Sequence, residues 1–187
     1  EPYRRQRQMC IRDRVDIGAK NKDEAERKAP MGTYISFDTP YVEYGDGFAC
    51  GKAFDDRVGC LSLLRLLQEE LPVDLVACFV SEEEVGCRGA KVASFAKAPD
   101  KGIAIDVTAW GDTPGTKQPD IKLGEGIAVK VMDHGSISNP DLREALLAAG
   151  AQAGVKTQRE VLPFGGTDAS AMQTSRGGIP VCTLSIP

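Results

Sequence analysis

Residues 73–86 read VDLVACFVSEEEVG, a run that is apolar at nearly every position and ends in three acids, Glu82, Glu83 and Glu84. An apolar run of this length predicts a strand buried on both faces, as in a parallel sheet. In open α/β sheets the ligand crevice lies at the carboxyl ends of the strands. Adjacent carboxylates placed there repel one another unless a cation sits among them. The stretch therefore predicts a metal site at a sheet edge.

Two further segments place acids at the ends of predicted elements. Residues 51–59, GKAFDDRVG, put Asp55 and Asp56 just before a helical pattern, and the apolar strand 101–107 carries Asp106 near its end. Carboxylates and water are the usual ligands of hard divalent cations, and zinc, cobalt or manganese are favoured when histidine joins them. We expect the three acidic segments to meet at one edge of one sheet.

The element pattern changes near residue 51. Residues 15–50 suggest short strands at 15–19 and 33–37, a helix over 21–28, and a hairpin of 41–44 with 47–50, which is too little for an independently stable domain. From residue 51, strands alternate with helices, which predicts an α/β three-layer sandwich around a central mixed, mostly parallel sheet. The predicted helices are 56–70, 89–98, 139–150 and 167–175, and the predicted strands are 73–80, 101–107, 127–132, 158–162 and 180–186.

Composition excludes several classes of protein. The chain has 187 residues, a net charge of −4 and an acidic pI near 5.1, which argues against a nucleic-acid binder. No apolar run reaches the roughly 18 residues of a membrane span. The six cysteines form no C-x-x-C pair, so we predict reduced thiols and a cytoplasmic protein. The Arg-rich residues 1–14 fit either a disordered basic tail or a translated adapter sequence foreign to the natural protein.

Four motifs occur in a fixed order along the chain. They are AFDDRVG at 53–59, EEEVGCRGA at 82–90, IDVTAWGDTPG at 105–115 and GGTDA at 165–169. Together they resemble the glutamyl aminopeptidase family, metallopeptidase family forty-two, which includes the tetrahedral aminopeptidases and some members labelled endoglucanases. The resemblance covers about residues 15–187. It implies a metal-dependent aminopeptidase that removes N-terminal residues from peptides and a β dimerisation domain of which 15–50 is the remnant, with 51–187 as a partial catalytic domain.

The resemblance also implies residue roles. Asp55 corresponds to the carboxylate that bridges two divalent metal ions, zinc or cobalt with manganese as a further option, and Glu84 and Asp106 correspond to the ligands on either side. Asp56 corresponds to a supporting residue joined to Asp55 by a cis peptide. Glu83 corresponds to the general base that takes a proton from the attacking water.

A fourth motif supplies the substrate side of the implied site. Gly165, Gly166, Thr167 and Asp168 correspond to a substrate-binding loop. Relatives of this family assemble as homo-oligomers, from dimers to dodecamers, so the resemblance also implies an oligomeric parent protein.

The chain departs from the family pattern in its histidines. The family uses two histidine ligands, one upstream in an H-x-D motif and one downstream in an R-Y-x-H segment, and the single histidine here, His134, matches neither. We interpret the chain as a fragment truncated at both ends. The expectation is that this polypeptide alone has little or no peptidase activity.

Other interpretations of the same residues stay open. An acidic triplet is often a solvated loop, the Asp55-Asp56 pair can cap a helix, and Asp106 can belong to a turn. A glycoside hydrolase also needs two carboxylates, but these acids cluster too tightly and aromatic residues, at 6%, are sparse for a sugar-binding cleft. A non-catalytic pseudoenzyme of the same fold accounts for the missing histidines.

Overall fold

A computed structural model describes residues 15–36, 38–112, 114–115 and 120–187. The interpretation of residues 1–14 as a tail lies outside this part of the chain. The structure divides into two compact units, Glu1–Lys52 and Ala53–Pro187. Whether these correspond to the remnant of a dimerisation domain and a partial catalytic domain stays a prediction.

The described residues of the first unit, 15–36 and 38–52, form one helix and one hairpin. Helix α1 (Lys22–Lys28) begins after Asn21, whose side chain accepts a hydrogen bond from the Glu24 amide. Strands β1 (Val42–Tyr44) and β2 (Phe48–Cys50) pair antiparallel across the Gly-rich turn, which confirms the predicted hairpin.

The strands predicted over 15–19 and 33–37 are wrong for the described residues, where the structure shows no ladder. Residue 37 itself lies outside the described part. The physical reason is that a strand needs a hydrogen-bonded neighbour, and nothing described in this unit supplies one.

A four-stranded sheet organises the second unit. Its strands are β3 (Gly102–Val107), β4 (Ile127–Met132), β5 (Thr157–Val161) and β6 (Val181–Ile186). They lie in the order β3-β6-β4-β5. The β3/β6 and β4/β5 pairs are parallel and the β4/β6 pair is antiparallel. The predicted α/β class with a mixed, mostly parallel sheet is confirmed.

Four helices accompany the sheet. They are α2 (Phe54–Leu66), α3 (Arg88–Lys97), α4 (Pro140–Gln152) and α5 (Asp168–Gln173). Helix α4 begins as its sequence predicts, with the Asn139 side chain accepting from the Leu142 amide and Pro140 in the first turn. Short helix α5 packs on β3 and β6 through a small apolar cluster. That cluster consists of Ala104, Ala169, Ile179 and Val181, with Met172 against it.

The predicted buried strand at 73–80 is not formed. The segment makes no ladder with the described residues, and most of its side chains are exposed, Val76 to 55% and Phe79 to 50%. Helix α2 also ends at Leu66, short of the predicted residue 70. An apolar pattern predicts burial only when a neighbouring strand and a covering layer are present, and the described chain provides neither on this side.

The interior of the sheet is partly ionic. Lys130 and Glu160 are each no more than 1% exposed, and the Lys130 Nζ and Glu160 Oε2 atoms lie 3.3 Å apart. Asp133, also buried, places Oδ2 4.0 Å from the same Nζ. The hydroxyls of Thr108 and Ser185 donate to the two Glu160 oxygens. Both Glu160 oxygens are thus hydrogen-bonded, whereas Lys130 Nζ has ion-pair neighbours but no hydrogen bond within the described residues; the pairing of opposite charges is what makes their burial tolerable. Among the helices that the structure describes, none is long and apolar enough to cross a membrane.

Candidate metal centre

Four separate segments bring carboxylates into one cluster. Asp55 and Asp56 open helix α2, Glu83 and Glu84 follow the 73–80 segment, Asp106 lies in β3, and Asp168 is the first residue of α5. Their negative charges act on one another: Asp55 influences Glu83, Glu84, Asp56 and Asp106, and Asp168 influences Asp56 and Glu83. The three acidic segments are therefore close enough for their charges to interact, and Asp168 joins them as a fourth, although only Asp106 belongs to a strand of the sheet.

The start of α2 is shaped around Asp55 and Asp56. The peptide between them is cis, as the family resemblance implied, and neither residue has helical backbone angles. Asp56 Oδ1 accepts a hydrogen bond from the Gly59 amide at 3.2 Å, and a Cβ at Gly59 would overlap that carboxylate. Burial, then the charges of Asp55 and Asp168, raise the pKa of Asp56 to about 6, despite the lowering by the Gly59 bond.

A tight backbone turn holds Glu83 and Glu84. The Glu83 carbonyl accepts hydrogen bonds from the Gly86 and Cys87 amides at 3.0 and 2.9 Å. The Gly89 amide donates to the Ser81 carbonyl, and a Cβ at Gly89 would stand only 2.5 Å from that oxygen. Because residue 89 is glycine, helix α3 can begin in close contact with the backbone of Ser81, which precedes the three acids.

Burial is the main cause of the raised pKa of both glutamates. For Glu83 the charges of Glu84, Asp168 and Asp55 add to it, while the Cys87 thiol lowers it in part. For Glu84 the next cause is Asp55, through its charge and a carboxyl–carboxyl hydrogen bond. The remaining acid of the triplet, Glu82, is exposed, and its Oε2 lies 3.7 Å from a guanidinium nitrogen of Arg88.

Asp106 is the most strongly shifted carboxylate of the cluster. It lies near the end of β3, opposite Ser185 of β6, and its Oδ1 accepts from the Val107 amide at 2.8 Å. Burial, and then the charges of Glu83, Asp55 and Asp56, raise the pKa of Asp106 to about 7. A carboxylate in a solvated turn would not be partly buried among other carboxylates. The alternative that Asp106 is only a turn residue is therefore not supported.

The loop of Gly165, Gly166, Thr167 and Asp168 reaches the cluster from the other side. The Gly165 carbonyl accepts from the His134 amide at 3.1 Å. The Thr167 hydroxyl is buried and lies 3.0 Å from the Thr183 hydroxyl and 3.4 Å from Asp133 Oδ2. Thr167 therefore anchors the loop, and Asp168 carries the carboxylate that meets Glu83. A substrate-binding role for the loop stays a prediction.

The closest grouping of ligand atoms differs from the predicted one. Among the described residues, one set of three or more metal-ligating side chains brings its atoms within 4.8 Å of one another, and it comprises Glu83, Cys87 and Asp168. Asp55, Glu84 and Asp106 lie around it as electrostatic neighbours. Sequence reasoning missed Cys87 in this set. Periodicity gave no signal for this contact, because Glu83 and Cys87 both precede α3 and are brought together by the turn in which the Gly86 and Cys87 amides bond the Glu83 carbonyl.

The donor set fits divalent cations. Several carboxylates are crowded and partly desolvated, and each raises the proton affinity of the next. A cation placed among them would relieve that repulsion and favour the ionised forms. Carboxylate oxygens suit hard or borderline divalent ions.

A family model described as M42 glutamyl aminopeptidase matches residues 2–187. The chain belongs to this family. A curated relative, a putative aminopeptidase of Acetivibrio thermocellus, is 37% identical over 175 residues, which are 92% of this chain and 53% of that protein. The M42 chain thus spans about half the length of the curated relatives it matches.

Solved structures agree with the family assignment. An aminopeptidase from the archaeon Desulfurococcus kamchatkensis superposes with a TM-score of 0.79 at 33% identity, over 95% of this chain and 54% of that one. The TET1 peptidase of Pyrococcus horikoshii, described as assembling into a tetrahedron or a large octahedral shell, gives a TM-score of 0.74 at 29% identity, over 92% and 51% of the two chains. The resemblance inferred from the four motifs is confirmed.

Proposed function

We propose that the full-length protein is a metal-dependent aminopeptidase that hydrolyses N-terminal residues from peptides. The observation that carries the proposal is the convergence of Asp55, Glu83, Glu84 and Asp106 from three chain segments into one cluster of mutually interacting carboxylates. Membership of an aminopeptidase family supports the same chemistry. Two divalent cations, zinc or cobalt with manganese as a further option, would be held by Asp55, Glu84 and Asp106.

The ions would supply Lewis-acid activation of the scissile carbonyl and of water. Glu83 is then the proton carrier: its carboxylate takes the proton of the attacking water and passes it to the leaving amine. A raised pKa, caused first by burial, suits Glu83 to both transfers, since a base that is too weak would not accept the proton. Asp56 supports the start of α2 through its bond from Gly59.

This chain by itself is proposed to be inactive. The family resemblance calls for one histidine ligand per metal, and His134, the one histidine of the sequence, matches neither. Loss of a ligand weakens metal binding, and supporting hydrogen bonds do not replace it. We further propose a cytoplasmic location, supported by the five cysteines of the described residues, all of which are free thiols. Assembly into homo-oligomers is proposed for the parent by analogy with the Pyrococcus horikoshii peptidase.

Aminopeptidase assays on a panel of aminoacyl-p-nitroanilides with added cobalt or zinc test the proposal. They compare this chain with a full-length parent, and the parent with its Glu83→Gln and Glu82→Gln variants. We expect activity in the parent alone, lost by at least about a hundredfold in Glu83→Gln, as for other general bases. Glu82→Gln is the matched control because Glu82 is exposed and forms its ion pair with Arg88. An inactive parent would favour the pseudoenzyme, and activity of the bare chain would contradict the assigned ligands.

A further inference from the structure

Asp106 has one buried hydroxyl residue beside it along the chain and another beside it across the sheet. Thr108 lies two residues further on, and side chains two residues apart project from the same face of an extended chain. The Thr108 amide continues the ladder by donating to the Ile186 carbonyl at 2.9 Å. Ser185 is the register partner of Asp106 in β6. Since Thr108 and Ser185 are both buried, two buried hydroxyl side chains flank Asp106 on this face of the sheet.

A single buried carboxylate accepts hydrogen bonds from both of these hydroxyls. The Thr108 hydroxyl donates to Glu160 Oε1, and the Ser185 hydroxyl donates to Glu160 Oε2 at 2.7 Å. Glu160 belongs to β5, whereas Asp106 belongs to β3, and these two strands stand at opposite ends of the strand order β3-β6-β4-β5. Each oxygen of Glu160 therefore ties one neighbour of Asp106 to the far side of the sheet.

Lys130 supplies the positive charge for Glu160 and stands beside a second carboxylate that holds another part of the centre. Its Nζ lies 3.3 Å from Glu160 Oε2 and 4.0 Å from Asp133 Oδ2. Asp133 Oδ2 accepts from the Thr167 hydroxyl at 3.4 Å, and Thr167 directly precedes Asp168. The same buried cation therefore lies between the carboxylate bonded to the neighbours of β3 and the carboxylate bonded to the residue before α5.

Stability alone is a weak reason for burying these charges. Replacing a buried ion pair by apolar residues of similar volume is often neutral or stabilising, because the cost of desolvation offsets much of the attraction. Polar networks whose members are hydrogen-bonded also rigidify the groups that they join, and both Glu160 oxygens are bonded. The groups joined here adjoin Asp106, whose carboxylate interacts with the rest of the acidic cluster. This placement favours a role in fixing the geometry of the cluster.

We propose that Glu160 is a positioning residue for the metal centre, with Lys130 as its counter-ion. Through the two hydroxyl side chains, Glu160 fixes the end of β3 that carries Asp106. A cation bound by Asp106 then meets an oxygen whose position is already set, so less conformational freedom is lost on binding. The use of Asp106 as a metal ligand rests on the proposed function, whereas the fixed position of its carboxylate does not.

Amide hydrogen exchange of this chain without metal tests the positioning directly. The Val107 amide donates to Asp106 Oδ1 at 2.8 Å, so its exchange rate reports whether that carboxylate keeps its place. We expect about tenfold faster exchange in Thr108→Val, which removes the hydroxyl but keeps the side-chain shape, and a change of less than about twofold in Thr108→Ser, which keeps the hydroxyl. Val129→Ala is the matched control, because Val129 is completely buried and alternates in β4 to the face opposite Lys130. It should leave Val107 exchange within about twofold.

Co²⁺ titration of the full-length parent extends the same variants to the metal. We expect Thr108→Val and Glu160→Gln to weaken Co²⁺ binding by about 10–100-fold, as loss of a hydrogen-bond partner behind a ligand typically does, and Thr108→Ser to bind within about threefold of the unaltered parent. In peptidase assays of the parent, kcat should fall in Thr108→Val while KM changes by less than about twofold, because Asp106 is proposed to hold metal rather than substrate.

Two results would overturn the positioning role: unchanged Val107 exchange in a folded Thr108→Val chain, or equal acceleration in Val129→Ala, which would show a general loss of stability. Far-ultraviolet circular dichroism establishes folding, and Ser185→Ala provides a second variant should Thr108→Val unfold. The outcome is separable from that of the peptidase proposal. An active parent whose Val107 exchange and Co²⁺ affinity ignore Thr108→Val would refute the positioning role alone. An inactive parent in which Val107 exchange responds would refute the peptidase function alone.

Discussion

Residues 53–100 and 102–187 share one compact unit but differ in how they are packed. The second region holds all four strands of the unit's sheet, and Val129, Val181 and Cys182 are buried to within 1% of complete. The first region leaves Leu64 51% and Val76 55% exposed. Yet the less buried region supplies the Asp55-Asp56 and Glu83-Glu84 pairs of the predicted site, while Asp106 and the loop 165–168 come from the second region. The difference shows that the cluster joins a well-packed region to one with few buried side chains.

Backbone hydrogen bonding explains part of the contrast. Strands β3 and β6 pair over their full lengths, whereas the apolar segment 73–80 forms no ladder with any described residue. Segments with few buried contacts and solvent-exposed backbone open at lower free energy than core strands. We therefore expect the sheet to carry most of the stability and the acidic turn after residue 80 to depend on local packing.

The largest effect should come from breaking the ionic interior of the sheet. Lys130→Met leaves Glu160 charged and buried without its cation, which typically costs about 3–5 kcal/mol. Urea unfolding followed by circular dichroism measures the change. Lys156→Met is the matched control: the Lys156–Glu125 pair is exposed and should contribute less than about 1 kcal/mol. A small loss for Lys130→Met would mean that the sheet interior is not what distinguishes the two regions.

Adding a methyl group at Gly89 tests the weakly packed side. In Gly89→Ala the new Cβ meets the Ser81 backbone, so the turn carrying Glu83 and Glu84 must shift, at a cost of about 1–3 kcal/mol. Gly177→Ala serves as the control because no atom lies within 4 Å of its added Cβ. Unfolding midpoints measure the cost and Co²⁺ titration reports the shift. Equal behaviour of the two variants would show that the close approach at Gly89 does not hold the acids.

A matched pair of valines compares the two regions directly. Val129→Ala removes a completely buried side chain and should cost about 2 kcal/mol. Val76→Ala makes the same chemical change where the side chain is 55% exposed, and should cost less than about 1 kcal/mol. Urea denaturation of both variants gives the difference. Similar losses would mean that 73–80 is covered in solution.

A further comparison of the two regions concerns pH. The pKa of Asp106 is raised to about 7 from 3.8, chiefly by burial. The folded state therefore holds this proton more tightly, so its contribution to stability is complete below pH of about 4 and disappears as the pH rises through about 7. Asp106→Asn should flatten that part of the decline, measured as unfolding free energy between pH 4 and 8 without added metal. An unchanged slope would contradict the burial of Asp106 between the two regions.

Sequence patterns predicted much of the sheet. The strands at 102–107, 127–132, 157–161 and 181–186 agree with the predicted strands to within a residue or two. In β3, β4 and β6 the apolar pattern succeeded because part of it is buried in the folded unit, as at Ala104, Val129 and Val181. The same pattern failed at 73–80. An apolar run indicates that a segment would gain free energy by being buried. It does not indicate whether a neighbouring strand or helix is available to cover it.

The site shows the same division. Ordered motifs predicted the family, and the expected convergence of strand ends predicted the meeting of Asp55, Glu83, Glu84 and Asp106. The acids do interact, but Glu83 and Glu84 follow a segment that forms no strand. They did not predict that Cys87 and Asp168 would come closest to Glu83, because those distances depend on the turn after Glu83 and on the loop anchored by Thr167.

The sequence by itself determined the alternation of strands and helices and the membership of the M42 family. Through the family resemblance it also implied the cis peptide bond between Asp55 and Asp56. Only the tertiary structure decided which side chains share the cluster, how far each pKa is raised, and that Lys130 and Glu160 are paired inside the sheet. The physical reason is that propensity and periodicity act over neighbouring residues, whereas desolvation and charge interaction depend on distances between segments far apart in the chain.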